Sequence, residues 1–425
     1  MTDPPSPTTQ NLRTTGRFRL LPATATRDAA VLIQARAIRA FGDGFVSVLL
    51  PVYLAALGYG ALEVGAVVTA TLVGSAAVTL GVGLLAHRYP RRALLLRASV
   101  LMTATGLGFA LAPGFVPILV VALVGTLNPS SGDVSLFLPT EQALLPQTVS
   151  AKERTSLFAR YSLTANLVGA VGALLAGLPD LLVDRTPVDR TDALRAMFVL
   201  YAALGLVVLW RYRGLSPAIE PGEGSPSGPL RESRGVVLRL AALFSLDSLG
   251  GGFVVQVLLA LWLFNRFDLS VATAGVIFFW SGLFSALSQL AAPRLAAKIG
   301  LLETAVYTHL AANAFLIATP FMPTLPLAIA TLLARSLLSQ MDVPVRTSYV
   351  MAVVPPAERA AAASVTNVPR SLASAASPLL GGYLLTLTTF GWPLVIGGVL
   401  KAVYDVLLLR GFRSLRPPEE SEEER

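Results

Sequence analysis

Twelve long apolar runs, most of them separated by short gaps, decide what this chain can fold into. They lie near residues 31–57, 61–86, 93–111, 115–146, 156–178, 194–210, 238–264, 271–292, 302–319, 325–353, 363–387 and 392–409. A helix needs about 20 apolar residues to cross the hydrocarbon core of a bilayer, and the alternation expected of barrel strands is missing. Composition points the same way: only 14% of residues are charged and the mean hydropathy is +0.66, whereas a water-soluble domain carries about 25% charged residues. The expected fold class is an all-α membrane protein with twelve transmembrane helices. The short gaps leave no room for a separate soluble catalytic domain.

The chain has no cysteine and two histidines, which excludes thiolate metal sites, disulfides and cysteine nucleophiles and argues against any metal centre. The strings GDG at 42–44 and GVG at 81–83 lack a third glycine and a preceding strand, so they are not nucleotide-binding loops. With no Walker motif and no nucleophile–base–acid set, the sequence predicts neither an enzyme nor a cofactor. Residues 1–27 are rich in Pro, Thr and Arg and lack the apolar core of a signal peptide. They read as a disordered cytoplasmic tail, and 415–425 as an acidic solvated one.

Threading the helices alternately from a cytoplasmic N-terminus puts twenty cations in inner segments and four (Arg185, Arg190, Arg195 and Arg266) in outer loops. The positive-inside rule then places both termini in the cytoplasm of a cell whose inner membrane holds the protein. This asymmetry, facing acidic headgroups, accounts for the net charge of +8 without a nucleic-acid partner.

A Pro-, Gly- and Ser-rich connection at 213–237 divides the chain into a 28–212 half and a 238–414 half. The halves carry a weak internal repeat: Asp43 matches Asp247, Pro139 matches Pro344, Glu141 matches Arg346, Glu153-Arg154 matches Glu358-Arg359, and Gly177 matches Gly382, all at offsets of 204 or 205. Such duplication, with a long inner central loop, is how many secondary transporters are built. Between the second and third runs stands GLLAHRYPRR at 83–92.

With that loop the chain resembles the major facilitator superfamily over residues 28–414, with a distant likeness to its bacterial drug-efflux members. The family motif is Gly-x-x-x-Asp-Arg-x-Gly-Arg-Arg/Lys. Gly83, Arg88, Arg91 and Arg92 match it, while His87 replaces the acid and Pro90 the second glycine. The resemblance implies a loop that latches the outward-open state; the alternative is that these arginines only fix topology. GAVGALLAG at 169–177 hints at an antiporter motif and is explained as well by close helix packing.

Charges inside a membrane helix usually face a cavity or a partner. Arg39 and Asp43 are one turn apart on helix 1 and could neutralise each other. Asp247 on helix 7 has no basic neighbour one turn away, which predicts a carboxyl that holds a proton until exposed, and makes it the first candidate for proton coupling, with Asp43 and Asp133 behind it. Asn128 and Glu141 on helix 4 and Arg335, Asp342 and Arg346 on helix 10 flank prolines that point to a binding region. Gln256 and Arg370, with Trp262, Trp280, Gln289, Asn313 and Asn367, complete the candidate cavity set, Trp262 being equally well read as an interfacial anchor. If helices 4 and 10 face each other across the central cavity, as the resemblance implies, Glu141 and Arg346 stand at pseudo-equivalent positions and could pair across the halves as a gate; the alternative is that they brace the inner loops.

The leading reading is a monomeric secondary transporter of a small organic solute, working by alternating access as proton-coupled efflux. The alternatives are an arginine-dependent carrier of an anionic or lipid-like substrate, and a non-transporting membrane receptor or assembly protein.

Overall fold

The computed structural model describes residues 21–22, 24–85, 89–128, 137–150, 153–220, 231–343, 346, 354–355 and 358–412. The first half contains α1 (Arg27–Ala56), α2 (Ala61–Leu85), α3 (Arg91–Leu111), α4 (Phe115–Val124), α5 (Phe137–Leu144), α6 (Arg154–Leu174), α7 (Leu178–Arg185) and α8 (Arg190–Arg213). The second contains α9 (Arg234–Gly252), α10 (Gln256–Phe267), α11 (Val271–Ile299), α12 (Leu301–Ala318), α13 (Leu325–Leu338), α14 (Arg359–Leu387) and α15 (Trp392–Phe412). Among the described residues, nine helical stretches are long and apolar enough to cross a membrane, and two shorter apolar helices, α4 and α13, begin the fourth and tenth spans. With α14, 29 residues long, they make up the expected twelve-span architecture.

Helix ends follow local chemistry. Asp189 caps α8 by accepting from the Thr191 N–H at 2.9 Å, and Ser270 caps α11 through Thr273 N–H at 3.1 Å. Both caps begin a span on the side opposite the termini, so Arg190 and Arg195 sit within α8 and not in the loop expected for them. At its far end α11 continues to Ile299 instead of stopping near 292: the stretch 291–299 holds four Ala with Arg, Leu and Lys, good helix formers that carry the helix past Pro293, and the helix stops only at Gly300, whose φ of +93° suits a residue without a Cβ. Arg294 and Lys298 therefore belong to the helix. Three glycines at 250–252 end α9, and α10 starts afresh at Gln256, so the seventh span is interrupted at mid-course.

In the first half α1 packs on α6 and α8, and α3 on α8; in the second, α9 packs on α14 and α15, and α12 on α13 and α15. Gly44 and Gly172 let the α1 and α6 backbones touch, since a Cβ on Gly44 would lie 3.0 Å from Ala173 N and 2.9 Å from Gly169 C. The 169–177 glycines thus serve packing. Large apolar side chains such as Leu111, Val116, Trp210 and Leu387 are more than half exposed on the perimeter, as suits a surface facing lipid.

The two halves meet through α2 against α14 and α6 against α11. The contacts use small residues on the side opposite the termini. A Cβ on Gly65 would sit 2.5 Å from Pro378 O, and one on Gly282 would sit 2.7 Å from Ala170 Cβ; Thr69 Oγ1 accepts the Leu379 N–H at 3.0 Å.

The repeat reappears in the loops on the terminal side. Glu153 accepts from the N–H of Thr24 at 2.9 Å, just ahead of α1. Its counterpart Glu358 accepts from the N–H groups of Arg231, Glu232 and Ser233 at 3.0, 3.0 and 3.1 Å, just ahead of α9. The Ser233 hydroxyl and these backbone donors hold the Glu358 carboxyl down at about 2, from an ordinary 4.5. A depressed carboxyl stabilises the fold fully above its unfolded value and loses that contribution as pH falls through its folded one. Glu358→Gln is therefore expected to lower the melting temperature at neutral pH, with the gap to wild type closing only between about pH 4.5 and pH 2. A gap that is already absent at neutral pH would remove this anchoring role.

Candidate functional site

A cavity of about 370 Å³ lies between the halves, lined by α1, α5 and α6 on one side and by α9, α10, α11, α13 and α15 on the other. The small-residue contacts close it on the side opposite the termini, and it extends toward the terminal side as far as Gln142, Gln340 and Val343. Its lining is rich in hydrogen-bonding groups. Arg36, Arg335 and Lys401 bring positive charge, and among the described residues no carboxylate lines it.

Arg335 stands near the end of α13, and its Nε is buried without a hydrogen-bond partner. Among the described residues no carboxylate pairs with its guanidinium, so an uncompensated cation faces the cavity. Arg36 stacks over the Tyr161 ring at 5.4 Å, and Gln256 opens α10 at the cavity wall.

Behind the cavity each half buries an ionic cluster. In the first, Arg39 from α1 pairs with Glu141 from α5, the two being 2% and 0% exposed. Tyr161 and Tyr212 donate their hydroxyls to the same carboxylate, and Arg39 lies 4.1 Å from the Phe137 ring centroid. Asp43 accepts from Asn128 Nδ2 at 3.4 Å. The short ion pair of Arg39 is thus with Glu141, on another helix, and not with its own-helix neighbour Asp43.

In the second half, Asp247 lies at the centre. Lys401 Nζ donates to its Oδ1 at 2.7 Å and Arg346 Nη1 to its Oδ2 at 3.2 Å, while His309 Nε2 stands 3.7 Å away. Arg346 also bridges to Asp342 at 3.3 Å, one turn back. His309 Nδ1 is 2.8 Å from Asp405 Oδ1, and Asn313 Nδ2 donates to Asp405 Oδ2 at 2.9 Å. Arg370 Nε donates to Ser248 Oγ at 3.2 Å.

Two expectations are corrected here. Asp247 is paired rather than lone, because its cations come from α15 and from the segment after α13, which spacing along α9 cannot reveal. Glu141 and Arg346 do not meet each other; each is paired inside its own half, because the repeat brings equivalent helices together within each half. The described partners also overturn two cavity candidates. Trp262 is fully buried and donates to Thr389 O at 3.2 Å, and Trp280 is 44% exposed on the perimeter. Gln289 does line the cavity, and Asn313 belongs to the His309 cluster.

Of the proposed latch, Gly83 falls in the last turn of α2, while His87 and Arg88 lie outside the described residues, as do Asp133, Pro129 and Pro344; so does the side chain of Asn367. Arg91 and Arg92 begin α3, where their N–H groups donate to Glu220 of the central linker at 2.8 and 3.0 Å, a carboxylate at the positive end of a helix. Arg92 Nη2 reaches Arg213 O at 2.7 Å.

Sequence reasoning missed Lys401 and Asp405, whose signal was available: two opposite charges one turn apart, KAVYD, inside the last apolar run. The tyrosines around Glu141 carried no such signal.

The model of the Major Facilitator Superfamily matches residues 35–339 and 240–425. The uncharacterized membrane protein YJR124C of Saccharomyces cerevisiae is 24% identical over 419 residues, which cover 90% of this chain and 94% of that one. Among solved structures, a bacterial homolog of the human lysosomal transporter Spinster, inward-facing and occupied, is 15% identical with a TM-score of 0.69, covering 91% of this chain and 97% of its own. The nucleoside transporter NupG is 13% identical with a TM-score of 0.69, covering 91% and 100%. The inward-open xylose transporter XylE from E. coli is 14% identical with a TM-score of 0.69, covering 90% and 95%. These likenesses extend the fold, and the matched family model spans both halves. The chain belongs to the Major Facilitator Superfamily, as a multi-pass membrane transporter of small solutes and not an enzyme.

Proposed function

We propose that the chain carries a small organic anion across the cytoplasmic membrane by alternating access, coupled to protons, with a single chain as the working unit. The observation that carries this reading is Arg335, an uncompensated guanidinium facing a cavity whose described lining holds no acid. Bringing a lone charge out of water is unfavourable unless a counter-charge joins it, and the planar fork of Arg suits carboxylate or phosphate. The volume of about 370 Å³, near the low end of ligand pockets at roughly 300–1,000 Å³, fits a metabolite-sized solute better than a lipid. The excess of Lys and Arg in the loops on the terminal side, toward which the cavity extends, supports a cytoplasmic position for that side.

The test is binding to purified protein in lipid nanodiscs, with small carboxylates and sulfonates set against neutral isosteres and organic cations. Anions are expected to raise the melting temperature of the wild type. Arg335→Gln should weaken their binding about 10- to 150-fold, the effect of a charged hydrogen bond worth about 1.5–3 kcal/mol, and Arg335→Lys should fall between. A wild type that prefers cations, or an Arg335→Gln protein that binds anions as well as wild type, would overturn the reading.

A further inference from the structure

Lys401 belongs to two places at once. Its side chain lines the cavity, and its Nζ donates to the buried Asp247 at 2.7 Å. Around that pair, α9 contributes Asp247 and Ser248, α14 contributes Arg370 on Ser248, and α12 contributes His309 and Asn313. The α15 helix adds Tyr404 and Asp405 beside Lys401, and the segment after α13 adds Asp342 and Arg346. The cluster sets the carboxylates Asp247, Asp342 and Asp405 against the cations Arg346 and Lys401, with His309 able to supply a third positive charge.

We propose, on the anionic-solute reading above, that Lys401 is a shared counter-ion that passes from Asp247 to the anionic group of the solute, so that solute binding obliges the cluster to take up a proton. When the ammonium turns to the solute, Asp247 keeps Arg346, which it already shares with Asp342. Two buried carboxylates on one guanidinium leave a negative charge without compensation, and the low-dielectric interior favours the neutral acid. One proton enters from water in the cavity and forms an O–H bond on Asp247. His309, 3.7 Å from Asp247 and 2.8 Å from Asp405, can hold that proton between the two acids. The anion brings one negative charge and the proton one positive, so the loaded carrier has the same net charge as the empty one. When the solute leaves, Lys401 returns to Asp247 and the proton is released to water.

Arg335 cannot do this. It pairs with no described carboxylate, so it attracts the anion without freeing an acid. Solute and proton bound together also travel together, and an inward proton gradient then drives uptake, opposite to the export that likeness to drug-efflux carriers implies.

The test measures proton uptake with a pH-indicator dye, in weakly buffered nanodiscs, as small carboxylates and sulfonates are added. All of these probes stay ionised between about pH 6 and pH 8, so any pH dependence belongs to the protein. Binding is followed by calorimetry in parallel. Wild type is expected to take up about one proton per anion bound, with affinity rising by up to about tenfold per unit fall in pH. Lys401→Gln should still bind anions through Arg335, with a flat pH profile and no uptake, and Lys401→Arg should restore uptake. Should Lys401→Gln not fold, Asp247→Asn carries the same expectation of anion binding without uptake. Anion binding to wild type without proton uptake, or undiminished uptake in Lys401→Gln or Asp247→Asn, would overturn the exchange while leaving the anionic-solute reading in place. Failure of every anion to bind wild type would overturn both.

Discussion

Replacing Glu141 with Ala is expected to cost about 3–5 kcal/mol of stability, the usual penalty for removing one partner of a buried ion pair. The loss takes the ion-pair carboxylate from Arg39, only 2% exposed, and deprives the Tyr161 and Tyr212 hydroxyls of their shared acceptor. Glu141→Gln keeps an acceptor but not the charge, and since charge-assisted hydrogen bonds are about twice as strong as neutral ones, it should cost roughly half as much. Removing both charges in Arg39→Leu/Glu141→Leu should recover most of the loss, because buried pairs replaced by apolar groups are often near neutral. Scanning fluorimetry of the purified variants checks this ordering. Equal melting of Glu141→Ala and wild type would mean that the cluster contributes little to holding α1 against α5.

Substitution of Gly65 by Ala is expected to open the outer side. The new Cβ would come 2.5 Å from the Pro378 carbonyl and 3.1 Å from Gly382 Cα, both backbone atoms that cannot swing away. Overpacking of this kind costs about 1–3 kcal/mol. That cost falls on the α2–α14 contact that closes the side opposite the termini, so a state in which this contact parts gains by about 5- to 150-fold. The chain has no cysteine of its own, so a single cysteine placed at Gln256 reports access to the cavity without background. A membrane-impermeant thiol reagent added from the outer side should label it much faster in the Gly65→Ala background. Unchanged labelling would mean that the halves are held shut elsewhere.

The sequence was most legible where the evidence is periodic and local. The twelve apolar runs appear as spans, the offset of 204–205 reappears in the matching contacts of Glu153 and Glu358, and Asp342 and Arg346, one turn apart in the sequence, form an ion pair. Contacts between helices were harder to read. Spacing along α9 reports only what α9 itself carries, so Asp247 looked solitary while Lys401 approached from α15 and Arg346 from beyond α13. The repeat held a clue that went unused: if Asp43 matches Asp247 and Glu141 matches Arg346, each half brings its own two charged helices together. Arg335 is a candidate on sequence among others, but its lack of a carboxylate partner among the described residues depends on which acids the fold keeps at a distance, and that is a property of packing alone.

The pairing of charges inside each half has a consequence for the response to voltage. Among the described residues no ion pair joins one half to the other, so rocking one half against the other does not pull opposite charges apart. The contacts between the halves on the side opposite the termini are between neutral backbones and small side chains. An electric field acts on charge that moves through it, about 2.3 kcal/mol per elementary charge per 100 mV. Arg39 moves with Glu141 and Arg346 with Asp247, so within each pair the work done on one charge largely cancels that done on the other. The field is left to act mainly on Arg335, which moves without a described counter-charge, while a cargo of one anion with one proton adds no net charge to the crossing.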